Sequence, residues 1–299
     1  MLAARGLSKT YCSRRGPAID RVSLEVQPRE AVGLVGLNGA GKTTTLRITC
    51  GVSLPTAGEV EVDGISLQRD KASASRLIGW VPEQPTHDPS ATLRSLLRYY
   101  SDIAAGVPAG VGERLLSEWG LSVHANKRFR ELSLGLKRRF AIVVASLTQP
   151  RYYLLDEPFN GLDPVAMAQC RTWVVRAKEE GTGLLLSSHN LREVQSLCDR
   201  VVVIHEGRVR SSVSAAQLAR LAPSAIVVVV DRMDPDAVRI LERFGEVTIS
   251  GTTANLRSHG IDAGQVNAAL VLAGYVVRKL SVDEGNLENY FLRLIEEAG

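Results

Sequence analysis

Apolar positions fall into distinct patterns along the 299-residue chain. The runs "AVGLVG", "YYLLDE", "GLLLSSH" and "RVVVIHEG" are continuous rather than alternating. Strands covered on both faces of a parallel sheet read this way. Among them, "SLGLKRRFAIVVASL" and "DPVAMAQCRTWVVRAKEEG" space their apolar residues three and four apart, which predicts helices. Strands alternating with helices predict an α/β fold with a parallel core sheet. Nearer the N-terminus, "VSLEVQP" and "GEVEVDGISL" alternate apolar with polar and carry turn glycines, so a small antiparallel sheet is predicted there. A helical subdomain is predicted over about residues 86–149, from "ATLRSLLRYYSDIAAG", "VGERLLSEWGL" and the helix after Ser133.

The character changes near residue 212. "SAAQLARLAPS" reads as a short helix and a link. Then "AIVVVV", "DPDAVRILERFG", "EVTIS", "ANLRSHG", "DAGQVNAALVLAG" and "YVVRKLSV" give strand, helix, strand, strand, helix, strand. That order is the ferredoxin-like split pattern, an α+β arrangement. A last amphipathic helix, "NLENYFLRLIEEA", closes the chain. The predicted division is therefore residues 1–221 and an accessory domain at 222–299.

Composition narrows this little. Hydrophobic residues at 45% and charged residues at 23% are ordinary for a globular protein. A net charge of +4 is too small to argue for nucleic acid, and no nucleic-acid partner is expected. Cys12, Cys50, Cys170 and Cys198 are scattered without metal-like spacing and read as reduced thiols. No leader-like segment opens the chain, and the longest apolar runs, such as "FAIVVASL", fall far short of the ~18 to 20 residues that span a bilayer. A membrane role would have to come through a partner.

The chemistry lies in the turns. "GLNGAGKT", Gly36 to Thr43, follows an apolar strand and opens a helix. In that context the pattern is a phosphate-binding loop, and Asn38, Gly39, Gly41 and Thr44 belong to the same cradle. Its glycines let backbone N–H groups close around an anion, and the helix N-terminus adds its positive end. Lys42 is placed to reach the β- and γ-phosphates, and Thr43 to hold Mg²⁺. "YYLLDEP" ends a strand in two carboxylates. Asp156 is the candidate for Mg²⁺, and Glu157 for the general base that polarises water. In "SSHNL", His189 follows another strand end and is a candidate contact to the γ-phosphate or the water.

These motifs, with "RELSLGLKRRF" and "NGLDP" between them, resemble in order and spacing the nucleotide-binding subunit of an ABC transporter over residues 1 to about 220. The resemblance implies the P-loop NTPase cassette fold, with ATP and Mg²⁺ as its ligands. It implies that Tyr11 stacks on adenine, and that Asp163 lies in a loop crossing a dimer interface. It also implies that Ser133 and Gly135 of one cassette complete the ATP site of another. One chain carries one set, so a second ATP-binding subunit, most simply a homodimer, is expected.

Two departures stand out. Leu134 and Leu136 replace a usual glycine and glutamine in "LSLGL", although Ser133 still suits the N-cap of an apolar-striped helix. The basic run Lys137, Arg138, Arg139 either reinforces the positive helix end or is a solvated face, and the arginines are expected on that face. In "WVPEQP", Glu83 stands where a Mg²⁺-sensing glutamine is usual, with Gln84 next, so either residue could fill the role.

The signature variant and the ending "DEGNLENYFLRLIEE" resemble exporter-type subunits for drugs, lantibiotics, polysaccharides and ions. The expectation is an ATPase on the cytoplasmic face of the cell membrane, bound to a separate transmembrane permease. The alternative is a soluble, non-transport ABC ATPase, either translation-associated or a regulatory nucleotide binder.

Overall fold

The computed structural model describes residues 1–12, 16–104, 106–215, 217, 225–257, 262–283, 290, 291 and 294. The chain divides into two compact units, Met1–Ser212 and Val213–Gly299.

In the first unit, strands β3 (Ala31–Val35), β6 (Ile78–Val81), β7 (Tyr152–Asp156), β8 (Gly183–Ser188), β9 (Arg200–His205) and β10 (Arg208–Ser214) form a six-stranded sheet in the order β10-β9-β3-β8-β7-β6. The pairs β9–β3, β3–β8, β8–β7 and β7–β6 are parallel. Every residue of β3, β7 and β8 is buried, which is the physical reason for their unbroken apolar runs. The β9–β10 turn places Glu206 at φ 49 and Gly207 at φ 74, the two left-handed positions of a tight hairpin.

A four-stranded sheet, β2-β1-β4-β5, combines β1 (Leu2–Lys9), β2 (Ile19–Val26), β4 (Ala57–Val62) and β5 (Ile65–Ser66), all antiparallel. Its inward side chains Leu2, Leu7, Val22, Val60 and Val62 share one core with Val32, Leu34, Leu154 and Val202 of the parallel sheet. Helix α1 (Lys42–Thr49) contributes Leu46 and Ile48 to that core. The short helix α2 (Lys71–Arg76) precedes β6.

The predicted helical region contains α3 (Leu93–Ile103), α4 (Val111–Glu118), two single-turn 3₁₀ segments and α5 (Leu134–Ser146). Thr92 caps α3 through Ser95 N–H, and Ser133 caps α5 through Leu136 N–H at 3.3 Å. After β7 the chain runs through α6 (Pro164–Glu179) to β8, then through α7 (Leu191–Leu197) to β9.

The second unit runs β11 (Ala225–Val230), α8 (Pro235–Glu242), β12 (Glu246–Ser250), β13 (Thr253–Arg257), α9 (Ala263–Leu272) and β14 (Val277–Asp283). Its antiparallel sheet has the order β12-β13-β11-β14, with the first and last strands of the unit paired at its centre and edge. Ile226, Val228, Leu241, Leu256, Val266 and Leu270 form its own core. Asp234 and Asp262 cap the two helices. The predicted helix in "SAAQLARLAPS" and the closing helix lie largely outside the described residues.

Cys12 is exposed, and Cys50, Cys170 and Cys198 are buried free thiols. Burial pushes the thiols of Cys50 and Cys170 up to about 12, so they stay protonated and inert at neutral pH.

Candidate active site

The loop from β3 to α1 owes its shape to close backbone approaches. A Cβ on Gly36 would stand 2.3 Å from the Ile204 carbonyl oxygen, so only glycine fits against β9. Gly41 has φ 110, and a side chain there would meet Ile19 at 2.6 Å. Lys42 opens α1 and is buried. Its Nζ donates to the carbonyls of Gly36 at 2.8 Å and Leu37 at 3.3 Å and lies 3.7 Å from Glu157 Oε1. The first turn of α1 holds no acidic residue, so its amide end remains positive. The buried Thr45 and Thr49 satisfy their hydroxyls on carbonyls one turn back.

The carboxylates sit at the C-terminal end of β7, fixed by the neighbouring strand. Parallel register places Asp156 opposite Ser187. Ser187 Oγ donates to Asp156 Oδ1 at 2.7 Å and accepts the Glu157 N–H at 3.0 Å. Thr43 Oγ1 donates to the same Asp156 oxygen at 3.2 Å. Asp156 is 2% exposed, and burial raises its carboxyl above the ordinary range against the pull of these two hydroxyls. Glu157 adopts φ 48, a costly conformation for a side-chain-bearing residue that sends the chain sharply out of the strand. Its Oε2 lies 2.8 Å from His189 Nδ1 and accepts the His189 N–H at 3.3 Å. One carboxylate therefore faces the lysine through one oxygen and the histidine through the other.

These groups surround a cavity of about 450 Å³. Of the residues singled out in the sequence, Asn38, Gly39, Gly41, Lys42, Thr43, Thr44, Glu83, Glu157 and His189 line it. Asp156 lies beneath, joined to the wall by Thr43. Glu83 is on the wall, whereas Gln84 is exposed and does not line it.

Four candidates lie elsewhere. Tyr11 follows the end of β1, partly buried, with Lys9 Nζ 5.2 Å from its ring centroid. Ser133 is exposed at the α5 N-terminus, and Gly135 stands in the first turn. Asp163 caps α6 through Ala166 N–H at 2.8 Å and accepts from Arg139 at 3.2 Å. None of these lines the cavity within one chain.

The expectation for the basic run needs correction. Arg138 is not on a solvated face but 3% exposed, with its Nε donating to the Glu83 carbonyl at 3.2 Å. Arg139 is mostly covered and paired with Asp163. Helix α5 is buried nearly all round, so its basic side chains must turn inward or pair. Leu134 is 47% exposed and lies over Gly161, where a Cβ would come within 3.0 Å of it. Sequence reasoning also missed Ser187 and Asn160, the latter a lining residue of the cavity. Asn160 opens "NGLDP", so the motif itself held the signal for it.

Among the described residues no cluster of three or more His, Cys, Asp or Glu forms a metal cage. The donor set of Thr43 and Asp156, with Glu83 on the same wall, consists of hard oxygens. That fits Mg²⁺, which usually takes few protein ligands and completes its shell with water and phosphate. Among the described residues, no helix is long and apolar enough to cross a membrane.

Known proteins resemble this chain over most of its length. Residues 19–160 match the family model described as ABC transporter. The chain is 31% identical to the bacitracin transport ATP-binding protein of Bacillus licheniformis over 294 residues, covering 97% of this chain and 95% of that one. It is 35% identical to Nod factor export ATP-binding protein I of Paraburkholderia xenovorans, covering 92% and 91%. Among solved structures, an ATP-binding subunit of an ABC transporter matches with a TM-score of 0.68 at 32% identity, over 74% of this chain and 92% of that one. A dimeric ATP-binding cassette bound to ADP and Pi matches with a TM-score of 0.65 at 25% identity, over 72% and 99%. With relatives of this identity aligned over nearly its whole length, the chain belongs to the ABC transporter family, as one of its ATP-binding, ATP-hydrolysing proteins.

Proposed function

We propose that this chain powers an exporter: it binds and hydrolyses ATP on the cytoplasmic face of the membrane, and a separate transmembrane chain carries the cargo. The observation that carries the reading is the continuous network Lys42–Glu157–His189, joined through Ser187 to Asp156 and Thr43 around one cavity. The export name of one relative aligned over nearly its whole length supports the direction, and the transport name of another supports the coupling to a membrane chain.

In this reading the triphosphate enters over the amides of residues 38–44. Lys42 exchanges the carbonyls of its own loop for phosphate oxygens, which are stronger partners for an ammonium. Thr43 and Asp156 would hold Mg²⁺, with Glu83 rather than Gln84 completing that wall. When bound, the ion would neutralise phosphate charge as the terminal bond breaks. Glu157 takes a proton from the attacking water, and His189, hydrogen-bonded to the same carboxylate, keeps it aimed.

Tyr11 supplies a face for adenine. Ser133, Gly135 and Asp163 act across a second copy of the cassette, which explains why they lie away from the cavity in one chain. The ATPase then comprises residues 1–221, and residues 222–299 form an accessory domain that supports the dimer. The cargo is set by the transmembrane chain.

A Glu157→Gln protein, tagged and captured with ATP from detergent-solubilised host membranes, tests the reading. Co-purification of a multi-spanning membrane protein in matched amounts is the expected result. Recovery alone or with ribosomes would favour the soluble alternative.

A further inference from the structure

Three carboxylates crowd the phosphate cavity: Glu83 and Glu157 on its wall and Asp156 beneath it. Lys42 is the cation among the lining residues. A triphosphate brings more negative charge into this space, and charges a few ångströms apart in a partly dry site interact strongly. A carboxylate at position 83 makes that worse than an amide would.

Arg138 stands behind this wall. Its guanidinium is buried, yet among the described residues no carboxylate lies within ion-pair distance of it. Its Nε donates to the backbone carbonyl of Glu83 at 3.2 Å, and its Nη1 is buried without a hydrogen-bond partner. Nη1 also lies 3.7 Å from where a Cβ on Gly161 would stand, against the turn that leaves Glu157. Burial pulls the guanidinium below its ordinary range, and Glu83, then Glu157 and Asp156, act against that pull. A buried arginine without a direct ion pair is rare, because desolvating the charge is costly. Here the summed field of those carboxylates offsets part of that cost, and the hydrogen bond to the Glu83 carbonyl ties the guanidinium to the loop that carries the first of them.

We propose that Arg138 is a positioning residue for the cavity: its buried guanidinium holds the Glu83 loop and is the counter-charge that lets a carboxylate stand at position 83 beside the incoming triphosphate. The inference rests on the cavity being the ATP site. It assigns Arg138 no contact with ATP.

The test is a charge cycle on the full chain. Affinity for a non-hydrolysable ATP analogue is measured in EDTA, so that only the protein's own charges act, for wild type, E83Q, R138Q and E83Q/R138Q. Arg138→Gln is expected to weaken binding about tenfold, and the double variant to return within about threefold of wild type, a coupling typical of groups in one network. Arg138→Lys, which keeps the charge, should bind closer to wild type than Arg138→Gln. An Arg138→Gln penalty of the same size with glutamate or glutamine at position 83 would overturn the proposal and leave Arg138 a packing residue. If Arg138→Gln does not fold, Glu83→Gln alone decides: tighter binding supports the counter-charge, and unchanged or weaker binding refutes it. Failure of the wild type to bind the analogue would instead sink the ATP-site reading.

Discussion

The ends of β7 and β8 and the start of α5 are both read as phosphate-directed, yet they are built in opposite ways. At the strand ends the polar groups share partners. Ser187 serves Asp156 and Glu157 at once, and Glu157 divides its oxygens between Lys42 and His189. At the start of α5, Ser133 makes its own cap, Leu134 is half exposed, and a Cβ on Gly135 would find its nearest neighbour at 3.7 Å. The first region is complete within one chain. The second has room and exposed residues but no partner network of its own, which suits a surface meant for another molecule. The comparison turns on whether damage to each region shows in the single chain or only in the assembly.

The largest expected effect is at the complete region. Glu157→Gln removes the proposed proton acceptor while keeping the shape, and ATP turnover should fall by about 100-fold or more, since a positioned base contributes at least that much. Nucleotide binding should persist. Phosphate release and equilibrium binding measured on one preparation separate the two, and near-normal turnover would dismiss Glu157 as the base.

Next comes Gly135→Ala, which probes the open region. The residue has no left-handed backbone and no crowding inside the chain, so the melting temperature should stay within about 2 °C. ATP-driven dimerisation should weaken by roughly tenfold if, as proposed, the added methyl stands where a second cassette's phosphate approaches. Sedimentation of the hydrolysis-deficient background with ATP reads this. Unchanged dimerisation would mean that the space at Gly135 is incidental.

A pH experiment sharpens the view of the complete region. Burial raises the Asp156 carboxyl in the folded chain above its unfolded value of 3.8. The folded state thus binds the proton more tightly, and stability from this group is fully present below the unfolded value and is lost as pH rises through the folded one. Asp156→Asn should therefore melt higher than wild type at neutral pH without nucleotide, with the gap closing as pH falls towards 4. A gap that does not change with pH would show that hydrogen bonding, not buried charge, sets the cost at this position.

Much of this was legible in the chain, for reasons that differ by element. The unbroken apolar runs of β3, β7 and β8 follow from burial on both faces, and strand-end motifs stay local in sequence, so Lys42, Thr43, Asp156 and Glu157 could be named in advance. Ser187 could not, because its role comes from the parallel register that sets it opposite Asp156, a pairing between residues far apart in the chain. Arg138 escaped for a different reason. It shares its stripe of α5 with Ala141, Ile142 and Ala145, but the helix is buried on other stripes too, and periodicity then no longer says which polar side chain turns inward. Tyr11, Ser133 and Asp163 were named by resemblance, and a single chain does not bring them to the cavity.

Leu134 gives the smallest effect and the finest cut between the two regions. It replaces a usual glycine, and its side chain lies over Gly161, where the turn after Glu157 begins its approach to Asp163. Within the chain it acts as a light clasp between the start of α5 and that turn. Leu134→Gly removes the clasp and adds backbone freedom in the first turn of a helix, which together should lower stability by about 1 kcal/mol, the usual cost of glycine in a helix. Turnover should stay within about threefold of wild type if Ser133 and the helix amides do the work. A large rise from near-zero turnover would reverse the argument: the native leucine would then be blocking the open region rather than steadying it, and the loop would be a degenerate site.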